Sequence, residues 1–588
     1  MRKTKIICTL GPKTRDKDSI RKLLEAGVDA IRINFSHDNH EIHGETAKRV
    51  IEVREEMGKP IPLILDTKGP EIRTGVMKDD LEHSLNIGDT FILTTDEIEG
   101  DNLRVSITYT GLPNDLEIGS RVLIDDGLIE LCVKKITNNE VECEVVNGGV
   151  LGSRKGINIP DTPINLPALT PKDIEDIKFA PKAGFDYIAA SFIRCAGDVI
   201  KIKQILENEG NDKIHIISKI ENREGVNNID EIIDVSDGIM VARGDLGVEI
   251  PTEEVPIVQK DLIKKANRAG KIVVTATQML DSMIRNPRPT RAETTDVANA
   301  IFDGTSAIML SGETAKGDYP LESVNMMSKI AKTAEAAVAK QKKLGLVSNN
   351  YGISMTNAVS NATCHAATEL GAEGIIAVTK SGYTPKSIAK FKPNCQVIAC
   401  TSDEVVMRQL NLAWGCIPML IINPITEVVD KQFEEALNKA EQKGLLKAGD
   451  IAVLSAGVPL GADGASNVMK VQYVGNVLGK GIGFGHEEIK AKVTVVKTIQ
   501  EAKDLFEDGD ILVAHRTNND YLPYMKRASA VVIDESKEEF YNHAVIMGEA
   551  LGTPVIVSAN GIMDGLKSGT IIKIDSKNGY IYSCNEDK

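Results

Sequence analysis

The chain has 588 residues, of which 42% are hydrophobic and 26% are charged. This length exceeds what one hydrophobic core supports and predicts three or four domains, while the composition excludes a disordered chain. The formal net charge of −15 argues against nucleic acids and anionic membranes as partners, so an anionic substrate would need local cations or metal ions.

The apolar run IICTL near the N-terminus is too short for the core of a signal peptide, and no other run approaches the length of a membrane span. The nine cysteines include no Cys-x-x-Cys pair, a pattern that predicts reduced thiols rather than a disulfide framework. We therefore expect a cytoplasmic protein with no membrane partner.

Short β-branched runs alternate with amphipathic helical patterns from residue 3 to about residue 340, as is typical of βα units around a parallel sheet. Eight strands are predicted, and they begin at Lys3, Ala30, Pro62, Tyr187, His215, Gly238, Lys271 and Ser306. Eight such units close a TIM barrel, so the predicted fold class is α/β, with a (β/α)8 barrel formed by residues 1–69 and 168–343.

The helical periodicity stops between Gly69 and about Pro167, where segments such as DTFILTT and EVECEVV predict antiparallel strands joined by turns. We assign residues 70–167 to an all-β domain, a small β-barrel, inserted after the third barrel strand. An insertion there hangs over the C-terminal mouth of the barrel, where barrel enzymes carry out their chemistry. The hypothesis is a mobile lid.

Two further domains are predicted after the barrel. Residues 344–474 predict a second α/β domain, which begins with a polar linker, and residues 475–588 predict a compact α/β domain with four strands and one helix. The glycine-rich segment GNVLGKGIGFG between them lacks the spacing of a phosphate-binding Walker loop and is interpreted as a linker.

Polar side chains follow nearly every predicted barrel strand, and the strand ends can hold such groups whereas the barrel interior cannot. Strand alternation places Lys219 and Glu221 on one side, and likewise Arg243 and Asp245. Two carboxylates on adjacent strands, Glu221 and Asp245, suit a hard cation such as Mg²⁺. Lys219 and Arg32 beside them suit the charge that builds on a phosphoryl group in transfer.

The alternative is that these residues form structural ion pairs that cap the barrel. One such pair would be ordinary, but charged and hydroxyl groups at the ends of several strands are hard to explain as capping, because each buried charge carries a large desolvation cost. The set also contains no candidate nucleophile, which fits phosphoryl transfer, a reaction that depends on positioning and charge stabilisation.

Seven segments of the chain resemble the signature segments of pyruvate kinases in order and spacing: IRINFSH, LDTKGPEIRTG, ISKIEN, ARGDLGVE, TATQML, RPTRAETTDVANAI and MLSGETAKGDYP. The resemblance covers roughly residues 1 to 474. It implies a homotetrameric enzyme, dependent on Mg²⁺ (or Mn²⁺) and K⁺, that transfers the phosphoryl group of phosphoenolpyruvate to ADP and releases pyruvate and ATP.

The resemblance also implies a role for each matching residue. Glu221 and Asp245 would bind the divalent ion, and Lys219 and Arg32 would stabilise the transferring phosphoryl group. The other implied roles are a monovalent-cation site at Asn34, Ser36, Asp66 and Thr67, substrate binding by Arg243, Gly244, Asp245 and Thr277, a proton relay through Thr277 and Ser311, and nucleotide contacts by His37, Arg73, Lys155 and Lys316. In this family a glutamate at the position of Glu71 goes with K⁺ dependence.

The segment TKSGYTPKS resembles the family's loop for the phosphate of an allosteric effector, with contacts at Thr379, Ser381, Gly382, Thr384 and Ser387. The alternative is an ordinary N-capping turn. The neighbouring loop GVPLGADGAS, from Gly457, lacks the arginine of relatives that use a doubly phosphorylated sugar. AMP or ribose 5-phosphate is therefore the favoured effector.

The last domain resembles the phosphohistidine swivel domain of phosphoenolpyruvate-utilising enzymes through ASAVVIDESKEEFYNHAVIMGEALGTPVIV. In those enzymes glycines precede the reactive histidine, whereas here SKEEFYNH keeps His543 and places two carboxylates and bulky side chains before it. The carboxylates would repel a phosphoryl group, and the missing glycines would prevent close backbone approach. We therefore predict that His543 is not phosphorylated.

Two other functions fit parts of the pattern. A metal-dependent lyase or aldolase that acts on the enolate of pyruvate would need no ADP, and the lid with Lys155 fits a nucleotide-binding phosphotransferase better. An inactive regulatory scaffold would be expected to lack at least one residue of the catalytic set, and all four are present: Lys219, Glu221, Asp245 and Thr277.

Overall fold

The computed structural model describes residues 2–160, 162, 164–343, 354–422, 428–458, 466–535 and 543–584. The chain divides into two compact units, the first made of Met1–Ala358 and Thr379–Leu420 and the second of Val359–Val378 and Ile421–Lys588. A search of the described residues finds no helix that is both long and apolar enough to cross a membrane.

The first unit begins with three parallel strands and two helices: β1 (Lys5–Leu10), α1 (Lys17–Glu25), β2 (Ala30–Asn34), α2 (His40–Glu56) and β3 (Leu63–Asp66). Each helix starts at a side chain that accepts a backbone N–H bond, Asp16 before α1 and Asn39 before α2. Such caps satisfy amide groups that have no partner inside the helix.

The chain then forms the inserted domain. Its elements are β4 (Ile72–Arg73), β5 (His83–Leu85), β6 (Thr90–Thr94), β7 (Arg104–Ser106), α3 (Leu112–Asp115), β8 (Arg121–Ile124), β9 (Ile129–Ile136), β10 (Glu140–Asn147), β11 (Gly149–Leu151) and β12 (Gly156–Asn158). Seven strands form one sheet in the order β4-β12-β8-β9-β10-β6-β7, and a bridge between Thr74 and Ile107 joins its two edges. The domain encloses its own apolar core.

The barrel continues with β13 (Tyr187–Ala190), β14 (His215–Ile220), β15 (Gly238–Ala242), β16 (Ile272–Ala276) and β17 (Ala307–Leu310). The helices of this half are α4 (Pro171–Phe179), α5 (Ala196–Asn208), α6 (Arg223–Asn227), α7 (Ile229–Val235), α8 (Arg243–Glu249), α9 (Val255–Ala269), α10 (Arg291–Asp303), α11 (Gly312–Ala315) and α12 (Pro320–Lys343).

The eight parallel strands close in the order β1-β17-β16-β15-β14-β13-β3-β2, so the predicted barrel is confirmed. Its strands are nearly continuous apolar runs because both faces are buried. Side chains such as Ile7, Met240 and Val274 form an inner cluster, and a larger cluster joins the strands to the surrounding helices.

Between the barrel and the end of the first unit lie α13 (Met355–Glu369), β18 (Gly374–Val378), α14 (Tyr383–Ala389), β19 (Gln396–Thr401), α15 (Glu404–Leu410) and β20 (Cys416–Leu420). Within the first unit β19 pairs in parallel with β20, and Arg408 of α15 donates to Asp186 under the barrel at 2.8 Å. In the second unit β18 pairs with β21 (Ile451–Ala456), and β21 pairs antiparallel with β22 (Val468–Tyr473). The second unit also contains α16 (Val429–Gln442).

The remaining elements are β23 (Val477–Lys480), β24 (Ile482–Phe484), β25 (Glu488–Val496), α17 (Ile499–Leu505), β26 (Ile511–Ala514), α18 (Leu522–Met525), β27 (Ala530–Ile533), α19 (His543–Leu551), β28 (Val555–Val557), α20 (Ile562–Gly565), β29 (Ile571–Asp575) and β30 (Tyr580–Ser583). The strand order is β23-β30-β29-β25-β26-β27-β28-β24.

Two predictions for this region are therefore wrong. The described part has eight strands and four helices rather than four and one, since helices of four to nine residues are too short to show a clear period. The segment GNVLGKGIGFG is not a linker but supplies β23 and β24 of the sheet. Its glycines allow close approach: a Cβ at Gly483 would lie 2.2 Å from the Ser576 carbonyl oxygen.

Candidate active site

Asp66, at the C-terminal end of β3, is the centre of a buried charge network. Its Oδ2 accepts a hydrogen bond from Nε of Arg32 at 2.6 Å, and its Oδ1 accepts one from Nζ of Lys219 at 3.1 Å. Burial opposes ionisation of this carboxyl, but the two cations lower its pKa below the ordinary value. Three barrel strands, β2, β3 and β14, thus bring opposite charges together at one end of the barrel.

Lys219 is almost fully enclosed by acceptors. Its Nζ lies 3.0 Å from Oε1 of Glu221 and donates to Oγ of Ser191 at 2.7 Å. Burial disfavours the ammonium form, yet Asp66 and Glu221 together raise the pKa of Lys219 above its ordinary value. The lysine is therefore a permanent cation at this end of the barrel, and its pairing with Glu221 agrees with the strand alternation.

Glu221 is buried, and each of its carboxylate oxygens has a donor nearby. Its Oε2 accepts the backbone N–H of Phe192 at 2.7 Å, and its Oε1 lies 3.0 Å from Nζ of Lys219 in an ion pair whose angles fall short of a hydrogen bond. Burial raises the pKa of Glu221 to about 7; Asp245 acts in the same direction and Lys219 opposes it. A buried carboxylate beside a second carboxylate is an arrangement that a divalent cation stabilises.

The carboxylates can account for only part of a metal's coordination. No group of three or more His, Cys, Asp and Glu side chains converges anywhere in the described ranges. Mg²⁺ commonly takes one or two carboxylates and completes its shell with water and substrate oxygens. Glu221 and Asp245 therefore fit such an ion, with the remaining positions left to a phosphorylated substrate.

Two residues that the sequence analysis missed hold this network in place. Oγ of Ser191 donates to the carbonyl oxygen of Thr67 at 2.6 Å while accepting from Lys219, and its N–H donates to Oγ1 of Thr67 at 3.0 Å. Phe192 has a φ of 55°, and its ring lies against Gly69, where a Cβ would be 2.7 Å from Phe192 Cδ2. A left-handed aromatic residue is strained, and such strain concentrates at functional sites.

The four residues predicted for a monovalent cation follow neighbouring strands. Asn34 ends β2 directly opposite Asp66 at the end of β3, and Thr67 comes next in the chain. Oδ1 of Asn34 accepts the backbone N–H of Ser36 at 3.1 Å. The structure therefore brings oxygen atoms of this set to one edge of the barrel.

The loop after β15 departs from the sequence expectation. β15 ends at Ala242 and residues from Arg243 form α8, so strand alternation does not apply to Arg243 and Asp245 and that argument is wrong. The guanidinium of Arg243 donates to the carbonyl oxygens of Ala276 at 3.1 Å and Thr277 at 2.8 Å and pairs with Asp296 at 2.6 Å.

Arg243 thereby braces a strained turn. Thr277 has a φ of 66°, which is a genuine outlier for a β-branched residue. Its Oγ1 accepts the backbone N–H of Gly244 at 2.8 Å and donates to the carbonyl oxygen of Ala276 at 2.6 Å. Ser311 follows β17, and Glu313 joins the two loops by accepting the N–H groups of Leu280 and Ser311.

A cavity of about 690 Å³ lies between the inserted domain and the barrel. Of the predicted nucleotide contacts, Arg73 and Lys155 line it, together with Asp245, whereas His37 and Lys316 are exposed and are not among its lining residues. Nζ of Lys155 pairs with Asp125 at 2.9 Å. Ligand cavities commonly have this size.

The inserted domain sends an acidic turn toward the barrel mouth. Asp125, Asp126 and Gly127 have φ values of 56°, 54° and 83°, as expected for a turn that an Asp-Gly pair favours. Burial raises the pKa of Asp126, and the charge of Asp245 adds to this effect. Sequence patterns locate the turn but not its position beside Asp245.

The predicted effector loop forms a tight turn before α14. Oγ1 of Thr379 accepts the N–H of Gly382 at 2.9 Å, and Gly382 has a φ of 82°. Ser381 is exposed, whereas Thr384 and Ser387 are buried. The neighbouring loop GVPLGADGAS falls mostly outside the described residues, as do residues 536–542 of SKEEFYNH.

His543 begins α19 with both ring nitrogens engaged. Nδ1 lies 3.0 Å from the Thr517 hydroxyl, and Nε2 lies 3.2 Å from Oδ1 of Asn519. Since an amide oxygen only accepts, this network assigns the ring proton to Nε2 and makes Nδ1 the acceptor from Thr517. Burial lowers the pKa of His543.

Three protein-family models match the chain. The model for the barrel domain of pyruvate kinase matches residues 1–324, that for its alpha/beta domain matches residues 357–472, and that for the mobile domain of PEP-utilising enzymes matches residues 506–579. These matches agree with the barrel, the second α/β domain and the additional C-terminal domain.

Relatives match over nearly the whole length. The pyruvate kinases of Geobacillus stearothermophilus and Bacillus licheniformis are each 45% identical and cover 99% of this chain, which covers 98% and 99% of theirs. The crystal structure of a pyruvate kinase from Cryptosporidium parvum superposes with a TM-score of 0.75 and 39% identity, over 81% of this chain and 96% of that one.

Proposed function

The chain belongs to the pyruvate kinase family, and from that premise we propose how its own residues transfer a phosphoryl group from phosphoenolpyruvate to ADP. The observation that carries the proposal is the position of Lys219 between Asp66 and Glu221. A fixed ammonium group at this place is available when negative charge develops on the phosphoryl group.

Arg32 and Lys219 perform the charge stabilisation. Both cations are held by Asp66, so their positions need not change as the phosphoryl group moves. A preorganised cation requires little reorganisation in the transition state, and this is the main source of its catalytic effect. Lys219 acts on the phosphoryl group itself, and Arg32 adds positive charge from the neighbouring strand.

Glu221 and Asp245 would hold the divalent cation, Mg²⁺ or Mn²⁺. The burial of Glu221 and the repulsion between the two carboxylates support this assignment. When bound, the ion would neutralise charge on the substrate and orient it. Asn34, Ser36, Asp66 and Thr67 would hold K⁺, and Glu71 is the residue that goes with this requirement.

Residues around the strained turn at Thr277 would orient the enolate and its proton source. The backbone of Arg243, Gly244 and Asp245 would receive the substrate carboxylate at the start of α8. Thr277, with Ser311, would belong to a hydroxyl relay that delivers a proton to enolpyruvate. The guanidinium of Arg243 keeps that turn in its strained conformation.

The inserted domain would act as a lid that completes the nucleotide site. Arg73 and Lys155 project into the cavity beneath it and provide positive charge for the ADP phosphates. His37 and Lys316 would make further contacts from the barrel side. We propose that closure of this lid excludes water from the transfer, as closing lids do in other enzymes.

The proposal also covers the allosteric effector, the oligomeric state and the cellular location of the protein. AMP or ribose 5-phosphate would bind at Thr379–Ser387, where Ser381 is exposed beside the glycine turn. The protein would be a homotetramer in which the effector acts by rearranging subunits, and it would reside in the cytoplasm. Calorimetry that shows binding of neither compound, or binding unchanged by Ser381→Glu, would contradict the effector assignment.

The C-terminal domain would have a structural rather than a catalytic role. Both nitrogens of His543 already have partners, which leaves none free to attack a phosphoryl group. Incubation with radiolabelled phosphoenolpyruvate should therefore leave no acid-labile, base-stable label on the protein. Such a label, lost in His543→Ala, would show that the histidine chemistry is retained.

A coupled assay of pyruvate formation tests the main proposal. We expect activity only when phosphoenolpyruvate, ADP and Mg²⁺ or Mn²⁺ are all present, with further activation by K⁺. Full activity in the presence of a chelator, or equal rates with and without K⁺ and NH₄⁺, would contradict the ion assignments. Pyruvate release that does not depend on ADP would instead favour a lyase.

A further inference from the structure

A second group of charged side chains lies at the N-terminal end of the barrel, opposite the proposed active site. There Lys271 precedes β16 and Ser306 precedes β17, and the facing wall is α14 with the residues after it. The small cavity between them, here called the lysine cavity, is lined by Lys271, Lys386, Lys390, Lys392 and Trp414. None of the described residues that line it carries a carboxylate.

Lys386 is the most isolated of these cations. Its Nζ makes no hydrogen bond and no ion pair with any described residue, and the residue is half-buried. Burial lowers the pKa of Lys386; among the charged groups Asp237 opposes this effect most strongly, and Lys271 adds to it. An enclosed ammonium group without an acceptor is a costly arrangement.

The charged groups around Lys386 include a second lysine, Lys271. Nζ of Lys271 donates to the carbonyl oxygen of Ser236 at 2.6 Å, a neutral acceptor, and burial lowers the pKa of Lys271. Burial and then the charge of Lys386 lower the pKa of His215 to about 4, and its Nδ1 has no hydrogen-bond partner within the described residues. Asp237 raises the pKa of both lysines and Asp234 also raises that of Lys271, but no carboxylate lies within ion-pair distance of either lysine among the described residues.

Trp414 forms one side of the cavity and reports on it. Nζ of Lys392 lies 4.4 Å from the centre of its ring, and Nζ of Lys3 lies 5.3 Å from it. Both distances are within the range of cation–π contacts. Trp414 is the single tryptophan of the chain, so tryptophan fluorescence reports on the surroundings of this one residue.

We propose that the lysine cavity is an anion-binding site for a phosphate group, either free inorganic phosphate or the phosphate of a small monoester. A phosphate dianion supplies the acceptors that Lys386 lacks and neutralises the excess positive charge. The small cavity favours the phosphate group itself over a nucleotide base. The site is additional to the proposed function, since it lies away from the barrel mouth and does not include the hydroxyls of Thr379–Ser387.

The cavity also contacts the predicted effector loop. A Cβ at Gly382 would lie 3.4 Å from Cε of Lys386, so the lysine side chain passes directly beneath the glycine turn. Movement of Lys386 toward a bound phosphate therefore has a direct route to that loop. The two sites remain separable, because Ser381 is exposed on the loop and is not among the residues lining the lysine cavity.

Fluorescence of Trp414 in the full-length protein tests the site. Inorganic phosphate and ribose 5-phosphate are titrated separately, with chloride at equal ionic strength as the reference. We expect a saturable change with at least one phosphate compound and a midpoint raised about tenfold or more by Lys386→Met. With inorganic phosphate as the titrant, Ser381→Glu should keep the midpoint within about twofold. The compound with the lower midpoint identifies free phosphate or a monoester as the ligand.

Thermal unfolding gives a second readout. Without phosphate, Lys386→Met should melt above the wild type because it removes an enclosed, unpaired charge. Phosphate should then raise the Tm of the wild type but not of the variant. Lys271→Met provides a second variant if Lys386→Met does not fold.

Three results would overturn the proposal. The first is that the wild type shows no saturable fluorescence change, and the second is an unchanged midpoint in both lysine variants. The third is loss of the signal for inorganic phosphate in Ser381→Glu. The last result would place the phosphate on the effector loop instead.

Discussion

Lys219 and Lys386 are enclosed lysines at opposite ends of the same barrel, and their surroundings differ in charge. Asp66 and Glu221 lie 3.1 and 3.0 Å from Lys219 and raise its pKa, whereas burial lowers the pKa of Lys386, which has no carboxylate within ion-pair distance among the described residues. Burial of a lysine side chain alone therefore does not indicate its function. The group proposed to complete the site at the mouth is a divalent cation, whereas the group proposed for the lysine cavity is an anion.

The largest effect is expected from Lys219→Met. It should lower kcat by about 10³-fold or more because the cation acts mainly on the transferring phosphoryl group, while phosphoenolpyruvate binding survives. Its Tm should fall, since Asp66 and Glu221 lose a buried partner, whereas the same substitution at Lys386 should raise it. Steady-state kinetics and thermal unfolding measure both quantities, and more than a tenth of wild-type turnover would contradict the role.

A smaller loss is expected from Arg243→Leu. Without the guanidinium, the strained turn at Thr277 can relax, and a misplaced relay should lower kcat by about 10- to 100-fold with a smaller change in KM. Arg49→Leu is the control, because Arg49 pairs with Glu45 on the surface of α2. Equal kinetics for the two variants would show that bracing of the turn is not needed.

Substitution of Glu71 tests the monovalent cation. Glu71 pairs with Arg73 at 2.7 Å and lines the cavity under the lid. Glu71→Lys should reduce the activation by K⁺ because it supplies a positive charge to the site, whereas Glu71→Gln should keep a K⁺ requirement. Rates measured with and without K⁺ in both variants decide this, and unchanged K⁺ activation of Glu71→Lys would count against the assignment.

The smallest effect is expected from removal of the C-terminal domain. In the second unit the ring of Tyr580 lies against Gly449, where a Cβ would be 2.2 Å from Tyr580 Cε1, so the two domains of that unit are in close contact. A chain that ends at Val474 should keep its kcat and lose roughly 2–4 °C in Tm. Loss of activity together with an unchanged Tm would reverse the expected roles.

A larger side chain at Gly449 is a milder form of the same experiment. Gly449→Val should also lower Tm, since Gly449 has a φ of 87° and its position is occupied by the Tyr580 ring. Gly444→Val is the matched control, because Gly444 also has a positive φ, 67°, but an added Cβ meets nothing within 4 Å. The difference between the two variants isolates the contact with Tyr580.

The sequence by itself determined the barrel and its insertion, because periodic burial and turn residues are local signals. It also placed Lys219 beside Glu221, since residues two apart on a strand share a side. The same rule gave a wrong result for Arg243 and Asp245, because β15 already ends at Ala242. Packing decides where the strand changes to a helix, and the four residues ARGD carry no signal for that change. Short strands in GNVLGKGIGFG were missed for the same reason.

Only the tertiary structure decided which distant residues complete each site. Ser191 meets Lys219 across 28 residues of chain, and Arg243 meets Asp296 across 53. The lysine cavity likewise gathers Lys271 and Lys386 from segments whose sequences show no shared pattern. Closure of the barrel and docking of α14 beneath it create these contacts, and no signal within a single segment encodes the distance between two segments.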